Sequence, residues 1–363
     1  MEDLLSSITP TEDAPTTLSD QAPPDPPTGL KSVLDVIPAH CYQRSALRGT
    51  GLVVRDLAVY GLALWALSST NNVLLLVPLW LVAGLAVAGL FVLGHDAAHG
   101  ALFDSTRANA LIARLTMLPS LHATEVWIYG HNRVHHGHTL KQGLDFVWHP
   151  LTPDQYRDLG PVARMVHRLE WGPVGAGAYY VHNIWWNKMI RFSPPRRWRH
   201  SMRRDQALVA AVALGSLTAI LVITGLDGLW LWTKLVVIPF LVFCQIIGWV
   251  VYVHHIAPEI QWWPRHEWNR FRGQVEGTTV LWGPPGWDLF FHSIMVHLPH
   301  HVDMRIPCYR LKEAALAIAA AFPGDVDQRP IRLRDYRRSV RECKIYDFDA
   351  GSWIAYPTTH RSR

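Results

Sequence analysis

The stretch Val73–Gly94 runs for 22 residues without a charged side chain. A helix of that length, at about 1.5 Å of rise per residue, reaches about 33 Å and crosses a hydrocarbon core of about 30 Å. The run leads directly into His95-Asp96-Ala97-Ala98-His99. A membrane helix is therefore expected to deliver a histidine pair to the edge of an apolar phase.

Three weaker apolar runs accompany it: Gly51–Ser68, whose start is weakened by Arg55 and Asp56, then Gln206–Gly225 and Leu229–Val253. Residues 31–50 read as an amphipathic lead-in. The Gly- and aromatic-rich stretch Trp171–Asn187, which contains His182, reads as an interfacial or re-entrant helix. The connectors Ser69–Asn72 and Leu226–Gly228 carry no Lys or Arg, whereas residues 188–204 carry seven and no acid. By the positive-inside rule the histidine-bearing sections and both termini face the cytoplasm. The expected fold is an all-α integral membrane protein with about four transmembrane helices and a cytosolic helical cap. The cap would hold a histidine-rich di-metal site. The expected layout is a disordered acidic, proline-rich tail over 1–30, a membrane domain over 31–330 and a cytosolic C-terminal tail over 331–363.

Composition agrees with this layout. Hydrophobic residues make up 49%, charged residues only 17%, and there are 17 tryptophans, a residue favoured at membrane interfaces. The net charge of +5 is carried between apolar runs. Anionic lipid headgroups are thus the expected partner, and nucleic acid is not. Cys41, Cys244, Cys308 and Cys343 form no CxxC, so neither a disulfide framework nor a zinc finger is expected. Residues 1–30 hold six acids and no base, which does not suit a secretory leader.

Ten of the twenty histidines fall in four groups: His95 and His99; His131, His135 and His136; His254 and His255; His297, His300 and His301. Residues three or four apart are neighbours on a helix, so the pairs within these groups can converge on a metal. So many imidazoles exceed one tetrahedral zinc site and suit two metals of four or five ligands each. Neutral imidazole suits iron, zinc and copper. Few carboxylates stand nearby, so a carboxylate-bridged di-iron bundle is not matched and an all-nitrogen set remains. Iron with open positions could activate O₂ and attack an unactivated C–H bond, which acid–base side chains cannot do. Asp96 is placed either to orient a ligating ring or to lie on the helix surface. A single histidine pair has many other roles. Four groups on one expected face of the membrane carry the metal reading. Spacing leaves His138, His254 and His292 unassigned. His40, His122, His149, His167, His200, His266 and His360 are expected at the surface or interface.

These residues resemble the histidine boxes of the membrane fatty acid desaturase and hydroxylase family: H-x3/4-H, H-x2/3-HH and H-x2-HH, with one further histidine before the third. Here the boxes are His95 and His99, then His131, His135 and His136, then His297, His300 and His301. The context GHDAAHGALF over residues 94–103, and the stretches 253–260, 291–301 and 306–311, are most similar to bacterial and cyanobacterial acyl-lipid desaturases of omega-6 type. The resemblance implies that His255 is the further ligand. It also implies two iron ions, O₂ as co-substrate and a cytosolic metal site, in the inner membrane if the source is bacterial. Electrons would come from a ferredoxin, or from a b-type cytochrome with its reductase. Fused cytochrome domains of the family carry HPGG, whereas this chain has His149-Pro150-Leu151. The donor is therefore expected to be a separate protein. Residues 188–204 suit either docking of an acidic donor or anchoring to anionic lipid.

Two activities share such a site. One is a desaturase that puts a cis double bond into a lipid acyl chain. The other is a hydroxylase or ketolase acting on an alkane, sterol or carotenoid. A metal transporter would need ionisable residues inside its spans, and the second run has none.

Overall fold

A computed structural model describes residues 29–145 and 147–356. The expected N-terminal tail up to residue 28, and His360, lie outside them. Three helical stretches are long and apolar enough to cross a membrane: Ala46–Ser68 (α1), Val73–Ala98 (α2) and Arg196–His255. α1 begins at Ala46 rather than at Gly51 because Ser45 caps it, its Oγ accepting the Arg48 N–H at 3.3 Å. Asn72 caps α2 in the same way, accepting the Leu74 N–H at 3.0 Å. α2 runs past its apolar stretch through His95 to Ala98, and His99 closes it.

The third stretch is a hairpin. Arg199–Thr224 (α3) ends at Gly225, whose φ of +65° only glycine adopts without strain. The chain returns through Gly228–Trp232 and a π-helical turn, Thr233–Val237, into Ile238–His255 (α4). Across the hairpin, Trp232 Nε1 donates to Ser216 Oγ at 3.1 Å. The same end holds the α1–α2 connector: Lys234 Nζ donates to Thr70 O at 2.9 Å, and Trp230 Nε1 to Asn71 Oδ1 at 3.1 Å. α2 and α4 therefore both carry their histidines at the opposite end of the bundle.

α2 packs against α1, α4 and the helix Thr106–Met117. α4 meets Ala176–Tyr179 backbone to backbone, since a Cβ on Gly248 would stand 2.3 Å from Ala176 O. The helix following Ala176–Tyr179, Tyr180–Ile190, is π-helical and buries Tyr180, Ile184 and Met189 in the main core. The outer faces leave Leu62, Trp65, Leu74, Val222 and Ile223 exposed, apolar surface of the kind that marks contact with a membrane or a partner.

The all-helical expectation is modified beyond α4. Thr279–Trp282 (β1) and Asp327–Pro330 (β2) pair in parallel with Thr279 opposite Asp327. Ile345–Asp347 (β3) and Ser352–Ile354 (β4) form an antiparallel pair with Ile345 opposite Ile354. Residues 331–356 do not trail from the molecule: Val340, Cys343 and Tyr346 are buried in the main core. All four cysteines are buried and free.

Candidate metal centre

Five elements supply the histidines. His95 and His99 come from the end of α2. His131 and His135 lie on a π-helical turn, Tyr129–His135, and His136 follows it. His255 ends α4. His297 caps the short helix Leu298–Val302, which carries His300 and His301. Nine imidazoles gather in two groups, within each of which the candidate ligand atoms lie within 4.8 Å of one another. The first holds His95, His99, His131, His136 and His300; the second holds His135, His255, His297 and His301.

The second and third boxes are each divided between the groups. A π-turn brings residue i beside i+5 rather than i+4. His131 thus meets His136, Nε2 to Nε2 at 3.1 Å, while His135 turns to the other group. This corrects the expectation that His131 and His135 converge on one metal. In the third box His297 and His301 meet at 3.0 Å, and the ring of His300 lies 4.4 Å from that of His95.

The donor set fits metal ions. Two nitrogens bound at right angles, about 2.1 Å from a metal, stand about 3.0 Å apart. The Nε2 of His131 has two such neighbours, His95 and His136, both at 3.1 Å. His99 Nε2, His255 Nε2 and His300 Nε2 are buried with no protein hydrogen-bond partner. Leaving each unsatisfied costs about 1–3 kcal/mol, so an ion is the economical partner. Burial, reinforced by the neighbouring imidazoles, holds His99, His131, His136, His297, His300 and His301 well below the ordinary histidine range. They are neutral at pH 7, the form that binds metal.

His95 and His131 of the first group and His135, His255 and His297 of the second line an apolar cavity. Phe91 and Val92 of α2 and Ile247, Val250 and Val251 of α4 line it. Trp127, Trp148, Tyr180, Ile184 and Met189 complete its wall.

The profile of the fatty acid desaturase family matches residues 72–330. The chain belongs to this family. It is 26% identical to the sn-1 oleoyl-lipid 12-desaturase of Anabaena variabilis, over 90% of this chain and 92% of that protein. It is 29% identical to the chloroplastic omega-6 fatty acid desaturase of Arabidopsis thaliana, over 88% of this chain and 69% of that protein. It is also 29% identical to the sn-1 acyl-lipid omega-3 desaturase (ferredoxin) of Nostoc sp. (strain 36), over 93% of both.

In this desaturase, other residues orient the rings. His135 Nδ1–H donates to Asp145 Oδ1 at 3.0 Å, and Asp145 is held by the N–H groups of Leu140 (2.9 Å) and Val147 (3.1 Å). His301 Nδ1–H donates to Gln274 Oε1 at 2.8 Å, and His255 Nδ1–H to Gly277 O at 3.0 Å. With Nδ1 protonated, Nε2 is left to face the group. Asp96 lies 3.3 Å from His95 Nδ1, and its other oxygen accepts the Cys308 N–H at 2.6 Å. Asp145 and Gln274 escaped the sequence reading. Asp145 stands ten residues after His135 with nothing local to single it out, and Gln274 carries no signal at all.

The unassigned histidines separate. His254 joins neither group; its ring stacks on His297 at 3.9 Å and neither nitrogen has a partner. His138 stands aside, its Nδ1 against Val134 O. His292 pairs with Asp56 at 2.6 Å, and Asp56 also meets Arg55, so the acid of the first run is a buried partner rather than a flaw in the span. His122 and His167, expected at the surface or interface, are buried: His122 lies between Ser120 O and Tyr180 Oη, and His167 binds Tyr356 Oη.

Proposed function

We propose that the protein is an O₂-dependent acyl-lipid desaturase that places a cis double bond in the acyl chain of a membrane lipid. The observation that carries this reading is the pair of all-histidine groups, members of both lining an apolar cavity. The balance is –CH₂–CH₂– + O₂ + 2 e⁻ + 2 H⁺ → –CH=CH– + 2 H₂O. Two bound irons would supply the oxidising power that side chains lack. In this proposal His95, His99, His131, His136 and His300 hold one iron, and His135, His255, His297 and His301 hold the other.

The chain's own residues prepare the site. Phe91, Val92, Ile247 and Val250 exclude water and align the acyl chain. Trp127 stacks on His131 at 4.3 Å and limits its rotation. Asp145, Gln274 and the Gly277 carbonyl hold protons on Nδ1 of their histidines.

The relatives named for the 12-position and for omega-6 favour that regiochemistry. A relative named for ferredoxin favours a ferredoxin donor over a b-type cytochrome with its reductase. We take α1, α2, α3 and the helical return ending in α4 as four crossings, with the metals on the cytoplasmic face. The return at Gly225 and the lack of Lys and Arg in both connectors support this. In a bacterium the site would be the inner membrane. Residues 31–330 would carry the catalytic machinery, with the described part of the segment 331–363 packed into the same core.

The test is the fatty-acid profile, by gas chromatography with mass spectrometry, of a host that makes no polyunsaturates and supplies an electron donor. A new diunsaturated acid, absent with His301→Ala, is expected and gives the bond position. An unchanged acyl profile from folded, iron-loaded protein would sink the reading.

A further inference from the structure

The site needs two electrons per double bond, and two basic regions lie near it: the segment 188–204, whose Lys188 stands within electrostatic reach of Asp145, and a second surface beyond α4. Of the first, Lys188 belongs to the helix Tyr180–Ile190 and is half-buried, whereas the exposed arginines at 196, 197, 199, 203 and 204 run straight into α3, at the foot of a membrane helix. A different surface lies over the histidines. Residues 140–142 pair with Trp263: Gln142 N–H donates to Trp263 O at 2.9 Å, and Trp263 N–H to Leu140 O at 3.0 Å. This brings Lys141 beside the stretch 262–272, where Arg265 and Arg270 are exposed and Glu267 is the one acid. Lys141 Nζ sits 4.8 Å over the Trp268 ring, and Arg272 lies 4.0 Å over that of Trp263.

Trp268 links this patch to the site. Its Nε1–H donates to Thr139 O at 2.8 Å. The Thr139 hydroxyl donates to His135 O at 2.7 Å and stands 3.3 Å from His301 Nδ1. One aromatic side chain and one threonine therefore separate the basic surface from two histidines of the second group.

We propose that this patch, centred on Trp268 and formed by Lys141, Arg265, Arg270 and Arg272, is the docking surface for an acidic one-electron carrier protein. The inference rests on the desaturase reading above and names the entry point for its electrons. Each carrier is oxidised by one electron, and two dockings serve one double bond. Charge complementarity steers such an encounter and makes it salt-dependent.

The test uses full-length, iron-loaded protein in nanodiscs of zwitterionic phosphatidylcholine, with an acidic [2Fe–2S] ferredoxin as probe. Arg265→Glu/Arg270→Glu should weaken ferredoxin binding by roughly tenfold or more at low salt and raise KM for ferredoxin. Iron content, and turnover driven by a small chemical reductant, should stay at wild-type values. Arg199→Glu/Arg203→Glu, in the 188–204 segment, should bind ferredoxin normally. Wild-type binding by the Arg265/Arg270 variant overturns the proposal, as does loss of binding in the Arg199/Arg203 variant. So does a defect seen only with anionic lipid in the disc, which would make the patch a membrane contact. Failure of the desaturase reading looks different: the wild type itself would form no double bond under the chemical reductant.

Discussion

Asp145→Asn removes one charge and keeps the side chain's shape, which makes it the sharpest probe of the second histidine group. Oδ1 of Asp145 accepts from His135 Nδ1 and from the Val147 N–H, and Oδ2 accepts the Leu140 N–H. Asparagine has one oxygen. If it takes the Oδ1 position, its NH₂ meets the Leu140 N–H, donor against donor. One buried donor left unpaired costs about 1–3 kcal/mol of stability. The weakened hold on His135 should lower metal affinity about 10–100-fold, or about 1.4–2.7 kcal/mol. Only His135 among the nine touches this carboxylate, so one iron should be lost and the five-histidine group should keep the other. Iron per protein, measured by mass spectrometry after dialysis against graded chelator, should fall from two to one at chelator levels the wild type withstands. Retention of both irons at wild-type chelator levels would refute the argument that Asp145 holds His135 for metal.

Three further outcomes are expected. Ile247→Trp fills the cavity about two turns of α4 before His255; it should leave iron content intact and cut turnover on long acyl chains at least about tenfold, read by product analysis. Gly248→Ala puts a methyl against Ala176 O, where α4 has no room, and should cost about 1–3 kcal/mol and lower the melting temperature. His122 is pushed down to about 4 by burial, from an ordinary 6.5. The unfolded chain therefore gains a proton that the folded chain refuses. The stability held above pH 6.5 is lost as pH falls toward 4, at about 1.4 kcal/mol per unit for this group. Melts from pH 7 to 5 should fall less steeply for His122→Gln, and equal slopes would rule the argument out.

What the sequence determined by itself is the inventory. An uncharged run of 22 residues can be read as a helix because its length matches the hydrocarbon core, whatever packs beside it. The eight box histidines could likewise be named from spacing and His255 from family likeness, and all nine lie in the two groups. Local pattern also put the α3–α4 connector at Leu226–Gly228, directly after Gly225, whose positive φ ends α3.

Only the tertiary structure decided how that inventory is shared. The boxes are units of sequence but not of the site. The π-turn over Tyr129–His135 sends His131 and His136 to one group and His135 to the other, because an i,i+5 spacing replaces the i,i+4 of an α-helix. Nothing in the residue types announces that extra backbone turn. The partners of the rings were equally hidden. His292 finds Asp56 across 236 positions, and His301 finds Gln274 across 27. Burial makes such polar pairs obligatory, but which groups are buried together depends on how the helices stack, and that is a property of the whole fold.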